Sequence, residues 1–317
     1  MILVTGSTGF IGRALIDRLH EEHAHLPVRA SCRASAGTLA PGVQSICVRD
    51  LLPDTEWSAA LQRVDAVLHC AARVHVMRDA SRDPLSEFRQ VNVQGTLNLA
   101  RQAAAMGVKR FVFVSSVKVN GELTRLGSPF HAADAPAPMD AYGVSKWEAE
   151  IGLRAIAQET GMEVVIIRPP LVYGPGVKAN FASMVRWLQR GIPLPLGAIH
   201  NLRSLVALDN LVDLIITCIH HPAAANQTFL VSDGEDVSTT ELLQRMGAAL
   251  GKPARLLPVP QRLLEWGAAL VGKQAVAQRL FSSLQVDISA TRQLLGWTPP
   301  VSLEQGLRQV AQSVQHP

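Results

Sequence analysis

Short apolar runs and longer amphipathic stretches take turns along the first half of the chain. After an opening run at Ile2 to Val4, the runs Val28 to Cys32, Val43 to Val48, Ala66 to Cys70, Phe111 to Ser115 and Val164 to Ile167 recur, separated by sequence of helical character. Runs that are continuously apolar, rather than alternating, read as strands covered on both faces, as in a parallel sheet between helix layers. The stretch after the first run carries Ile11, Leu15 and Leu19 at intervals of four, one face of a helix. Strand and helix in alternation predict an α/β fold on a doubly wound parallel sheet.

At 317 residues the chain has room for such a sheet and a smaller appended region. Residues 1–168 are expected to hold the sheet, and 169–317 a smaller C-terminal α/β region interleaved with it. Ala132 to Ala137 is a short Ala/Pro loop. Leu263 to Val271 is apolar, but it is short and interrupted by Glu265, so it reads as a packed helix or lid rather than a membrane span. Near the end, Gly296 is placed to stop one helix and Ser302 to cap the next.

Composition narrows the partners. With 48% hydrophobic and 18% charged residues, the chain is a folded protein. Its 30 basic residues exceed the acidic ones by 4, but they are scattered and do not interleave with aromatics, which speaks against nucleic acid. An anionic small molecule and an ordinary charged surface fit that balance equally. Four cysteines (Cys32, Cys47, Cys70 and Cys218) lack paired spacing and read as reduced thiols. His220 and His221 are adjacent, which on a helix turns them apart, so no metal is expected. The first residues lack the pattern of an export signal, and a cytoplasmic location without membrane insertion is expected.

The first candidate chemistry is Gly6-Ser7-Thr8-Gly9-Phe10-Ile11-Gly12, between a strand and a helix. Gly6 permits a tight turn, Gly9 lets backbone approach a pyrophosphate, and Gly12 lets helix and strand pack closely. The helix that opens at Phe10 and Ile11 supplies N–H donors to the anion. This context predicts dinucleotide binding on a Rossmann-type sheet. NAD-selective sites usually end the second strand in a carboxylate, whereas this one ends Ser31-Cys32-Arg33. Arg33 could pair with a 2′-phosphate, so NADP(H) is the expected cofactor and NAD(H) the second choice.

Tyr142 and Lys146 stand at i and i+4, on one face of a helix. A nearby cation stabilises a phenolate and lowers the tyrosine pKa, making Tyr142 a usable acid. Ser115 and Ser116 end the fifth strand, where open α/β sheets place their chemistry. A hydroxyl there can hold a substrate carbonyl while Tyr142 protonates it.

Together, the G-x-x-G-x-x-G turn, the strand-end serine and Tyr-x-x-x-Lys resemble the extended short-chain dehydrogenase/reductases, the NAD-dependent epimerase/dehydratase family. The resemblance implies that Ser116, Tyr142 and Lys146 are catalytic, with Tyr142 and Lys146 also touching cofactor. It places Asp50 and Leu51 near the adenine, Ala71 and Ala72 along the cofactor, and Pro169 and Val172 near the nicotinamide. Asn92 would steady its helix and a water, and His69 reads as a satisfied strand-end histidine. For substrate it implies Ser116, Lys118, Asn120, Asn180, Phe181, Leu194, Leu196 and Arg203, the last as a diphosphate cation. A homodimer through the helices of Asn92 and Tyr142 is the implied assembly.

Three segments, Ala71 to Met77, Ser115 to Gly121 and Arg168 to Phe181, are similar to bacterial UDP-N-acetylquinovosamine 4-reductases. That implies an NADP(H)-dependent reduction at C4 of a UDP-linked 4-keto-6-deoxy-N-acetylhexosamine. The product would be UDP-N-acetylquinovosamine or its C4 epimer, for O-antigen and lipopolysaccharide synthesis. Dehydratases of the family carry an Asp-Glu pair after the catalytic Ser/Thr. Val117 and Lys118 stand there instead, leaving elimination without an acid or base. A UDP-hexose 4-epimerase with tightly bound NAD is the alternative, and a non-catalytic dinucleotide sensor the third reading.

Overall fold

In the computed structural model, the described residues are 1–33, 39–74, 83–177, 179–270, 272 and 274–315, without the side chains of 179, 180, 275 and 276. The first half runs β1 (Ile2–Thr5), α1 (Phe10–Glu22), β2 (Val28–Cys32), β3 (Gln44–Cys47), α2 (Ser58–Leu61), β4 (Ala66–His69), α3 (Pro84–Phe88), a π-turn (Arg89–Gly95), α4 (Thr96–Ala105), β5 (Arg110–Val114), α5 (Ala141–Thr160) and β6 (Glu163–Arg168). It continues β7 (Leu171–Tyr173), α6 (Ala179–Gln189), β8 (Arg203–Ala207), α7 (Leu208–His220), β9 (Thr228–Leu230), β10 (Asp236–Val237), α8 (Thr239–Ala249), α9 (Gln261–Leu270), α10 (Gln274–Phe281), α11 (Ser289–Leu295) and α12 (Leu303–Gln315).

Seven strands form one sheet in the order β3-β2-β1-β4-β5-β6-β9, every pair parallel. The order reverses beside β1, which opens a crevice at the carboxyl ends of β1 and β4. Alternation along β1 shows how the two faces fill. Ile2 and Val4 join a core with α1 and α7 residues, while Leu3 between them joins a core with Leu99 of α4 and Leu153 of α5. Edge strand β3 departs from the expected two-sided cover, since three of its four residues are exposed.

A second sheet, β10-β8-β7, and helices α6, α8, α10 and α12 enclose a further core around Tyr173, Phe181 and Leu307. β9 belongs to this later part of the chain but pairs with β6 in the main sheet. At the C-terminal end, Gly296 ends α11 at φ +60, and Ser302 exchanges hydrogen bonds with Gln305 at the start of α12. Among the described residues, no helix is long and apolar enough to cross a membrane.

Candidate active site

β1 delivers the chain to Gly6, whose φ is +68 and where a Cβ would meet the Ala71 nitrogen at 2.7 Å. A Cβ at Gly12 would lie 2.2 Å from the Gly6 carbonyl oxygen, so α1 packs directly on the turn. The Gly9 N–H donates to that same oxygen at 2.9 Å. Gly9 is the N-cap of α1 and has no side chain to cap it, so among the described residues the N–H groups that open the helix at Phe10 and Ile11 have no side-chain acceptor. A bare backbone turn leading into a 13-residue helix fits the pyrophosphate of a dinucleotide.

Other expected cofactor residues lie around this turn. Ala71 and Ala72 are half-buried at the end of β4, and the Ala71 N–H donates to Thr5 Oγ1 at 3.3 Å. Leu51 is half-buried, and its carbonyl fits against Gly95, where a Cβ would stand 2.4 Å away. Asp50 and Arg33 are both exposed. His69 is fully buried, with Nδ1 2.7 Å from Thr5 Oγ1 and Nε2 2.9 Å from Thr96 Oγ1. Burial, and then the charge of Lys146, push it down to about 3, so it is a neutral structural histidine.

Tyr142 and Lys146 lie on the first turns of α5, which is capped by Asp140 accepting the Gly143 N–H at 2.7 Å. The Tyr142 ring meets Phe88 edge-on at 6.0 Å. Ser116 lies two residues past β5, and its Oγ accepts the Lys118 N–H at 3.2 Å, leaving the hydroxyl proton to donate. The turn after Ser116 is tied to α5 because the Lys118 ammonium pairs with Asp140 and with Glu122. Ser116, Tyr142 and Lys146 are therefore carried by neighbouring elements at the mouth of the sheet.

The expected electrostatics of this group need correction. Lys146 Nζ donates to the Val114 carbonyl at 2.8 Å and sits 4.4 Å from the Phe113 ring centroid, but 6.0 Å from that of Tyr142. Burial raises the Tyr142 phenol above its ordinary value, and Asp140 adds to the rise. Burial also draws Lys146 down to about 8, with Cys70 and Glu150 opposing.

The sequence reading missed the polar network behind these residues. Glu150, fully buried on α5, takes two hydrogen bonds from Arg168 at 2.6 and 2.9 Å and one from Ser115 Oγ at 2.6 Å. Ser115 is thereby engaged as a donor, whereas Ser116 Oγ is an acceptor, from the Lys118 N–H. Asn92, in the π-turn, donates to Ser145 Oγ at 3.0 Å, and Ser145 donates to the Tyr142 carbonyl at 2.8 Å. Glu150 stands four residues after Lys146 and eight after Tyr142, a periodicity that marks an acidic residue on the same helix face.

The expected substrate residues are less united. Asn120 is buried and accepts from Arg168 at 3.0 Å while donating to the His131 carbonyl at 2.9 Å, so it braces the loop at His131. Lys118 is occupied by its carboxylates. Phe181 stacks on Tyr173 at 5.5 Å, and Leu194 and Leu196 have their side chains in the C-terminal core, so these three are packing residues here. Arg203 donates through Nη1 to the carbonyls of Arg279 and Ser282, both at 3.0 Å, and burial lowers its pKa. Pro169 is buried, with its carbonyl accepting the Val117 N–H, and Val172 is half-buried in β7. The side chain of Asn180, with His75 to Met77 and Lys178 of the similar segments, lies outside the described residues.

The sequence profile of the NAD dependent epimerase/dehydratase family matches residues 2–232. The chain belongs to this family. It is 51% identical over 316 residues to a UDP-glucose 4-epimerase of Vibrio cholerae, covering 98% of this chain and 94% of that protein. It is 27% identical over 334 residues to the N-acetyl-alpha-D-glucosaminyl-diphospho-ditrans,octacis-undecaprenol 4-epimerase of Escherichia coli O157:H7, covering 98% and 94%. A Bacillus cereus UDP-glucuronic acid 4-epimerase, solved in complex with NAD, has the same fold with a TM-score of 0.78 at 22% identity, covering 99% and 96%.

These findings overturn the expected reductase. Segment similarity pointed to a UDP-N-acetylquinovosamine 4-reductase, but identity over nearly the whole chain is to a UDP-glucose 4-epimerase. The family machinery for moving hydride and proton at a sugar carbon is common to both, so its motifs do not separate them. The NADP(H) preference also lacks support. Arg33 is exposed to solvent, and the family whose profile matches is described as NAD dependent.

Proposed function

We propose that the protein is a UDP-hexose 4-epimerase that works with tightly held NAD. The observation carrying this is the near full-length identity to the Vibrio cholerae UDP-glucose 4-epimerase. The two more distant proteins compared are named for reaction at the same carbon. Dehydratase chemistry is disfavoured because Lys118, where a carboxylate would be needed, is bound to Asp140 and Glu122.

Gly6, Gly9 and Gly12 with the α1 N-terminus would hold the pyrophosphate of the dinucleotide, whose nicotinamide would supply a reversible hydride acceptor. Tyr142 takes the proton of the C4 hydroxyl as C4 is oxidised and returns it as C4 is reduced from the opposite face of the sugar. Ser116 donates its hydroxyl proton to the C4 oxygen, holding it through both half-reactions. Lys146, one turn from Tyr142, is the cation that offsets the phenolate. Arg203 binds the diphosphate through the guanidinium edge left after its two carbonyl contacts. A homodimer through the helical stretch that carries Asn92 and through α5, which carries Tyr142, accounts for the exposed Ile151 on α5.

The test is to follow UDP-glucose and UDP-galactose by proton NMR with purified protein and no added cofactor, after identifying the dinucleotide released by acid. Interconversion with NAD released is expected. No interconversion, together with oxidation of added NADPH by a UDP-4-keto sugar, would overturn the reading.

A further inference from the structure

Helix α9 presents apolar side chains outward. Leu264 and Ala268 pack against the C-terminal core, while Leu263, Trp266 and Leu270 are 60%, 67% and 69% exposed. Intervals of three and four put those three on one helix face. Leu257, on the Leu257–Pro260 run that leads into α9, is 52% exposed. An exposed face of large apolar side chains is costly to leave in water and marks a surface that something covers.

The charge around it indicates what kind of surface. Residues 252–279 hold five basic residues and one acidic, so the rest of the chain is balanced at 25 of each. The entire net charge of +4 therefore belongs to this segment. Lys252, Arg255 and Arg262 are exposed, and Arg262 lies one turn before Trp266. A symmetric contact with a second copy would set this basic patch against itself, which electrostatics opposes.

We infer that α9 is a docking surface for an anionic lipid bilayer, lying in the headgroup plane with Leu263, Trp266 and Leu270 inserted and Arg255 and Arg262 on the lipid phosphates. Tryptophan and leucine on one side of a helix with cations at its flank are the features of an interfacial helix. At 10 residues α9 is far too short to span, so the attachment is peripheral and reversible. The attraction between basic flank and anionic headgroups is screened by salt.

Flotation of the full chain with vesicles of phosphatidylcholine and phosphatidylglycerol, against phosphatidylcholine alone, tests this. The protein should float with the anionic vesicles at low salt. The bound fraction should fall at least tenfold on neutral vesicles, at high salt, and in the variant Leu263→Ser/Trp266→Ser/Leu270→Ser. All three side chains are exposed, so the variant should keep its circular dichroism and melting temperature. Brominated lipid should quench the wild type more than Trp266→Phe. Absence of flotation, or equal flotation of the triple variant, would overturn the inference. So would a lipid-free dimer, seen by sedimentation, that the same three substitutions dissociate, since a second copy would then cover the face.

Discussion

The Tyr142 phenol is held above its ordinary pKa by burial and by Asp140, while burial draws Lys146 down to about 8. Tyr142 therefore holds its own proton at neutral pH, and it can take the C4 hydroxyl proton only after giving that one up, a loss that the Lys146 charge favours. Tyr142→Phe should cut turnover by about 10²- to 10⁴-fold with bound cofactor retained, measured by NMR rate and released dinucleotide. Rates should also fall as pH rises through about 8, where Lys146 loses its charge, and an unchanged rate at pH 9 would count against its role. His69 carries a stability prediction of its own. Its folded pKa, about 3, lies below the unfolded value of 6.5, so the unfolded state takes up the proton first. Stability is fully present above pH 6.5 and is lost as pH falls toward 3, by up to about 5 kcal/mol. Urea midpoints between pH 7 and 4 should fall less in His69→Gln than in wild type. The spacing of Tyr142 and Lys146 was legible in the sequence because a helix fixes which residues share a face. The direction of the tyrosine shift was not, because it depends on burial that spacing does not record.

At the scale of elements, α5 joins the sheet through charge as well as apolar packing. Glu150 binds Arg168 at the end of β6 and Ser115 at the end of β5, and all three are buried. Removing one partner of a buried pair leaves the other charge uncompensated, so Glu150→Ala should lose about 3–5 kcal/mol in urea unfolding. A loss under 1 kcal/mol would mean water replaces the carboxylate. The glycine turn makes the complementary case. Gly12→Ala would drive a methyl into the Gly6 carbonyl, moving α1 off the turn, so the variant should purify without its dinucleotide. That turn was readable because strand, glycines and helix are consecutive in sequence. The fate of Asn120, Leu194 and Leu196 was not, since each is decided by partners far along the chain: Arg168 for Asn120, Arg255 and Leu257 beside Leu194, and Thr240 beside Leu196.

For the whole molecule, the central issue is whether the expected boundary at residue 168 separates two folding units. Core residues on one face of the main sheet come from both sides of it. Ile2, Leu15 and Val112 share a cluster with Val206, Leu211, Phe229 and Trp297. β9 extends the sheet by pairing with β6, and the Trp297 indole donates to Asp213 at 2.7 Å. Sequence order shows where strand and helix stop alternating, but not that a later strand returns to the first sheet. Each side also keeps a core of its own, but cutting between them would expose the apolar surface of the shared core on both. We therefore propose that the boundary divides functions rather than folding units, and that the protein unfolds in one cooperative step. Far-ultraviolet circular dichroism and tryptophan fluorescence should give coincident urea transitions. NAD should shift both by the same amount, because a ligand bound by the native state alone stabilises the whole of it. Two separated transitions, with NAD moving only one, would instead establish two domains that fold apart.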